Sequence, residues 1–92
     1  MIKSFRCKET EKLFNDLRSA KFRNIERVAR RKLEMIDAAL RLEDLKSPPG
    51  NQLEALKRDR LGQHSIRIND QFRICFRWEK DSVLDVEIVD YH

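Results

Sequence analysis

The hydrophobic pattern of this chain changes its period once, across Ser47-Pro48-Pro49-Gly50-Asn51. Before that point apolar residues recur every three to four positions, and after Leu53 they recur every two. The prolines enforce the break: they lack an amide donor and restrict the residue before them, so no helix crosses this stretch. A chain written this way folds as helices followed by strands, with the helices covering one face of a small sheet. At 92 residues it is one domain spanning 1–92, because a second hydrophobic core would need more chain.

Upstream of the break the clearest segment is a stripe of Ile25, Val28, Ala29, Leu33, Ile36, Ala39 and Leu40. Arg27, Arg30, Arg31, Glu34 and Arg41 fall off that stripe. Asn24 precedes it as an expected N-cap, its side-chain oxygen suited to the open backbone amides that follow. A shorter helix is expected over 8–18, with Leu13, Phe14 and Leu17 on one side. Ahead of it, Ile2 and Ser4 alternate with Lys3 and Phe5, which predicts a short first strand.

Downstream, Ile66 and Ile68 alternate with Ser65 and Arg67, and Phe72, Ile74, Phe76 and Trp78 alternate with Arg73, Cys75 and Arg77. Leu84, Val86 and Ile88 then stand against Asp85, Glu87, Val89 and Tyr91. Asn69-Asp70 and Lys80-Asp81 carry turn chemistry at the two joints, so an antiparallel meander is predicted. The fold class is α+β, with an N-terminal strand and two helices on one face of a mainly antiparallel sheet.

If the Ile, Phe and Val positions turn toward the helices, Arg67, Arg73 and Arg77 share the opposite face with Asp85, Glu87 and Tyr91. Such a face is either solvated and balanced by cross-strand ion pairs, or a surface for a polyanion. Lys57, Arg58 and Arg60 add positive charge just before the strands. The overall balance, 20 Lys and Arg against 16 Asp and Glu, leaves only +4, a weak bias toward an acidic partner. With 5 Phe, 1 Trp and 1 Tyr, mostly at core positions, a platform of exposed rings for stacking single-stranded bases is not expected.

Cys7 and Cys75 lie far apart with no CxxC or paired histidine around them, so buried, reduced thiols are expected in place of a zinc site or disulfide. The start lacks the apolar run of a signal peptide, and no stretch nears the roughly 18 apolar residues of a membrane span. A cytoplasmic protein is expected. At the other end Asp90-Tyr91-His92 sets a carboxylate, a phenol and an imidazole in succession. A terminal histidine is ordinarily solvated, but beside an arginine-rich face these groups suit acid and base work on a phosphodiester.

Over its whole length the chain resembles the HigB branch of the RelE superfamily, the ribosome-dependent mRNA endonuclease toxins of bacterial toxin-antitoxin systems. The likeness is carried by Met1-Ile2-Lys3-Ser4-Phe5, Leu56-Lys57-Arg58-Asp59-Arg60, Ser65-Ile66-Arg67-Ile68-Asn69-Asp70-Gln71-Phe72-Arg73-Ile74 and Asp90-Tyr91-His92, in that order and spacing. It implies the RelE-like microbial RNase fold, cleavage of mRNA in the ribosomal A site without a metal or other cofactor, and a cognate antitoxin as partner. By the same resemblance Arg73, Asp90, Tyr91 and His92 are the catalytic residues. Lys57 corresponds to the family's basic residue before the strands, and Arg60, Arg67 and Arg77 are expected to join it in binding RNA phosphates. Glu54 stands where some relatives carry a histidine, which leaves the general base open among Asp90, His92 and the ribosomal setting. Two other functions fit a basic face on this fold: a ribosome- or RNA-binding module that makes no cut, and a gyrase poison of the ParE branch. A third, a basic surface docking an acidic protein, would leave the last three residues without a chemical role.

Overall fold

The computed structural model describes residues 1–90, so Tyr91 and His92 lie outside the described residues. Two helices, α1 (Lys8–Phe14) and α2 (Glu26–Ala38), precede four strands, β1 (Glu54–Ala55), β2 (Gln63–Arg67), β3 (Phe72–Glu79) and β4 (Ser82–Asp90). The strands form one antiparallel sheet in the order β1-β2-β3-β4, an α+β arrangement of the expected kind. Among the described residues no helix is long and apolar enough to cross a membrane.

The core lies between the helices and the inner sheet face. Leu13, Leu33, Ile36, Ile66, Ile74, Phe76, Val83 and Val86 are all completely buried there. Each such aliphatic or aromatic side chain contributes about 1.5–3 kcal/mol by leaving water. The hairpin between β2 and β3 closes as its turn residues predict: Asn69 Oδ1 accepts from the amides of Gln71 (2.8 Å) and Phe72 (2.7 Å).

The expected first strand is reduced to two isolated parallel bridges, Ile2 with Val83 and Phe5 with Val86. Between them the Ser4 hydroxyl, not its backbone, accepts from the Asp85 amide at 2.9 Å. Here β4 bulges. Cys75 pairs with Glu87 and Arg77 with Leu84, so Asp85 and Val86 together oppose Phe76, and Asp85 adopts a left-handed φ of 54°. A one-residue slip exchanges the faces of everything beyond it. Val83 is therefore buried in the core, whereas Leu84, expected there, is only half-buried and shares a row with Arg77.

The helices also depart from their predicted limits. α1 stops at Phe14 because Asp16 takes a left-handed φ of 62°, a conformation aspartate tolerates better than most residues; Leu17 is consequently 55% exposed. Asn24 does not cap α2. It sits inside a 3-10 turn (Arg23–Ile25), and the preceding loop is held by Glu26, whose carboxylate accepts from the Ser19 amide at 3.0 Å. Leu40 lies past the helix end and is 82% exposed. The proline segment is built of 3-10 turns, Leu42–Lys46 and Pro49–Asn51, and leads into β1, a two-residue strand too short to show any periodicity.

Candidate functional site

Cross-strand register sorts the outer face into rows. Glu54, Ser65, Cys75 and Glu87 form the middle row, Arg67, Arg73 and Val89 the row on one side, and Gln63, Arg77 and Leu84 the row on the other. Arg73 and Arg77 are four residues apart on one strand, about 13 Å at the usual rise. The arginines therefore belong to two separate groups.

At the Arg77 end the charges are paired. Arg77 Nε lies 3.5 Å from Asp85, and Arg60 reaches Glu87 at 3.1 Å, a carboxylate also approached by Arg6 at 3.6 Å. Lys57 follows the last ladder bond of β1, from the Leu56 amide to the Gln63 carbonyl, and stands exposed at this same end. Beneath these side chains Cys75 is fully buried, and burial pushes its thiol up to about 11 despite nearby Arg60 and Arg73. Both cysteines are free, Cys75 buried and Cys7 half-buried, in keeping with structural thiols.

At the other end an open basin of about 380 Å³ is lined by Gln52, Glu54, Arg67, Asn69, Asp70 and Arg73. Arg67 and Arg73 face each other across β2 and β3, and Arg67 also pairs with the exposed Asp70. Arg73 is 8% exposed and held by several contacts. Its Nε donates to Ser65 Oγ at 2.8 Å, and one terminal nitrogen donates to the carbonyls of Gln52 and, at 3.3 Å, Ser65. Glu54 Oε1 stands 3.7 Å from Arg73 Nε, with half of its side chain in solvent. The planar guanidinium is thus fixed beside a carboxylate in a hollow lined by polar groups, an arrangement suited to a phosphodiester and a proton.

Asp90 is exposed and pairs with Phe72, one residue out of phase with Arg73, so the regular register places these two residues on opposite faces. Its carboxylate accepts from Gln71 Nε2 at 3.0 Å. The sites expected at Tyr91 and His92 lie outside the described residues. Of the predicted site residues the structure brings together Arg67 and Arg73, sets Lys57, Arg60 and Arg77 at the far end, and leaves Asp90 at the strand edge.

Two further groups went unrecognised in the sequence. Glu54 entered only as a departure from the family pattern, because nothing in the pattern placed it on a strand opposite Ser65. Nothing in the sequence pattern marks His64. Its ring stacks on Phe76 with centroids 6.4 Å apart, and its buried Nδ1 has no hydrogen-bond partner. Burial lowers its pKa below the ordinary 6.5, so the unfolded chain takes up this proton first as the pH falls. His64 therefore supports the fold fully above about pH 6.5 and withdraws that support as the pH drops toward its folded value. Replacing it with phenylalanine is expected to shrink the fall in urea midpoint between about pH 7.5 and about pH 5.5; an unchanged fall would assign the acid sensitivity to other groups.

A family model described as the RelE-like toxin HigB of type II toxin-antitoxin systems matches residues 3–92. The chain is 39% identical over 80 residues to Toxin HigB-1 of Vibrio cholerae serotype O1, an alignment covering 85% of this chain and 84% of that protein. It is also 42% identical over 60 residues to an uncharacterized protein of Haemophilus influenzae, covering 65% of this chain and 59% of that protein's length.

Proposed function

Because the chain belongs to the HigB-like family of RelE-like toxins, we propose that it cuts messenger RNA on the ribosome, gripping the scissile phosphodiester in the basin of Arg67, Arg73 and Glu54. A toxin of a type II toxin-antitoxin system has an antitoxin as its partner. The observation that carries the nuclease reading is the juxtaposition of the buried Arg73 guanidinium with the Glu54 carboxylate, 3.7 Å apart and open to solvent on one side.

RNA brings its own nucleophile. The 2'-oxygen attacks the adjacent phosphorus as its proton departs, and the bond from phosphorus to the 5'-oxygen breaks as that oxygen gains a proton. A 2',3'-cyclic phosphate and a 5'-hydroxyl end result. The protein has three tasks in this scheme: to accept a proton, to steady the charge that grows on the phosphate oxygens, and to donate a proton. Glu54 is the acceptor, since its carboxylate stands beside Arg73 in the basin, whereas Glu87 is paired with Arg60 and Arg6 and Asp70 with Arg67. Arg73 and Arg67 carry the second task through charge-assisted hydrogen bonds. The resemblance counts Asp90, Tyr91 and His92 among the catalytic residues; with Glu54 as the acceptor, this scheme assigns His92 the donation to the leaving oxygen, Tyr91 the stacking on a base, and Asp90 a supporting place at the strand end.

Lys57, Arg60 and Arg77, one end of the sheet away, touch phosphates along the strand or on ribosomal RNA and so contribute affinity. So little acid and base equipment favours a reaction in which the ribosome orients the message, and a toxin acting on ribosomes works in the cytoplasm. Primer extension on messages with and without bound ribosomes tests the proposal. Discrete new ends are expected only with ribosomes present. Intact message under conditions of growth arrest would reduce the protein to a binding module or a gyrase poison.

A further inference from the structure

The turn that supplies Arg73 with its backbone acceptor is itself held from the helical layer. Lys32, on α2, is 8% exposed, and its ammonium donates to Asn51 Oδ1. Asn51 is wholly buried, and its Nδ2 donates to the carbonyls of Leu45 at 3.1 Å and Ser47 at 3.3 Å. Its own amide closes the 3-10 turn on the Pro48 carbonyl at 2.9 Å. The next residue, Gln52, has a left-handed backbone at φ 45° and ψ 56°, and this twist presents its carbonyl to Arg73. Such a conformation is unfavourable for a residue with a side chain and persists where the surroundings hold it.

We propose that Lys32 and Asn51 form a latch that aims the Gln52 carbonyl at Arg73, making both of them positioning residues for the guanidinium of the basin. The catalytic consequence rests on the nuclease reading; the geometric claim does not. An ammonium withdrawn from water is costly unless it is paired, so a lysine at this position needs a return. Apolar residues would fill the space under the turn. Only a donor at the end of a long stem also holds the Asn51 oxygen, leaving its amide nitrogen for the Leu45 and Ser47 carbonyls and the Met35 sulfur, 3.2 Å away. Ser65 fixes the Nε side of Arg73, and the latch fixes the other side through Gln52. A guanidinium anchored at both edges turns one known face to the basin and pays no reorganisation when the phosphate arrives.

The test is Lys32→Met, a substitution of similar length without the donor, read in two ways. The first readout is the side-chain NMR signal of Arg73. Its guanidinium protons are expected to shift and to exchange faster with water in the variant, while the backbone amides of the core strands stay in place. The second is single-turnover cleavage on programmed ribosomes. A displacement of the guanidinium by a fraction of an ångström to one ångström is expected to lower the rate roughly ten- to a hundredfold. The toxin concentration giving half-maximal rate should not change, and in an Arg73→Ala background Lys32→Met should cause no further loss. An unmoved Arg73 signal, or an equal loss with and without Arg73, would overturn the latch. Should Lys32→Met fail to fold, Asn51→Ser, which breaks the other half, decides by the same two readouts. If Arg73→Ala itself cuts at the wild-type rate, the nuclease reading of the basin fails, and the Arg73 signal still decides whether the latch exists.

Discussion

Arg73→Ala is expected to slow cleavage of ribosome-bound message by roughly a hundredfold or more, since loss of one well-placed donor to a developing oxyanion raises the barrier by about 2.7–4 kcal/mol. The magnitude follows from where the residue sits. Arg73 is buried and bonded to Ser65 and Gln52, so its position is set before any substrate arrives. Arg73→Lys separates geometry from charge. It keeps the positive charge and loses the fork that holds Ser65 and Gln52 together, so it should recover only a small part of the lost rate. Urea denaturation of both variants reports any loosening of the Gln52 turn. A folded Arg73→Ala protein with wild-type toxicity and wild-type cleavage would remove this residue from the site.

The second large effect is expected at Glu54. Glu54→Gln keeps the shape and the hydrogen-bonding capacity of the side chain but removes its ability to take a proton, and a positioned general base commonly contributes a factor of about 10²–10⁴. Stability should hardly change, because a half-exposed ion pair with Arg73 is worth about 0–1 kcal/mol. This combination of a large kinetic loss and a small thermodynamic one distinguishes a proton acceptor from a counter-ion. Retention of most of the cleavage rate in Glu54→Gln would leave Glu54 with the counter-ion role alone and return the base to the last residues of the chain.

Much of this molecule was legible in the sequence because a strand's period of two is rigid. Ile66, Ile68, Ile74 and Phe76 lie in the core as their alternation predicts, and Arg67 and Arg73 share the outer face for the same reason. The period fails where the backbone changes phase without changing composition. At Asp85 a left-handed residue inserts an extra step into β4, and the core position passes from Leu84 to Val83. Nothing in Val83-Leu84-Asp85-Val86 distinguishes a bulge from a regular strand. The end of α1 was hidden in the same way, because Leu17 keeps helical spacing even though Asp16 has already turned the chain.

The outer face shows the other limit. Pattern left two descriptions open, a solvated face with cross-strand ion pairs and a face for a polyanion, and the structure has ion pairs at both ends, those of Arg67 with Asp70 and Arg73 with Glu54 surrounding an open basin. Arg77 and Arg60 are paired with Asp85 and Glu87, while Arg67 and Arg73 share a basin with Glu54. Glu54 could not have been assigned to the basin from spacing, because its strand has two residues and its place beside Arg73 is set by long-range pairing with Ser65. Lys32 reads as one more charge on a helix until Asn51 is found buried against it.

The attack of a message's own 2'-oxygen in this basin can be tested on the substrate without altering the protein. Ribosomes programmed with a message bearing a single 2'-deoxynucleotide at the scissile position of the A-site codon should bind the wild-type toxin as before and remain uncut there, while the all-ribose message is cleaved to a 5'-hydroxyl end. Cleavage of the deoxy-substituted message at the same bond and at the ribose rate would contradict the mechanism.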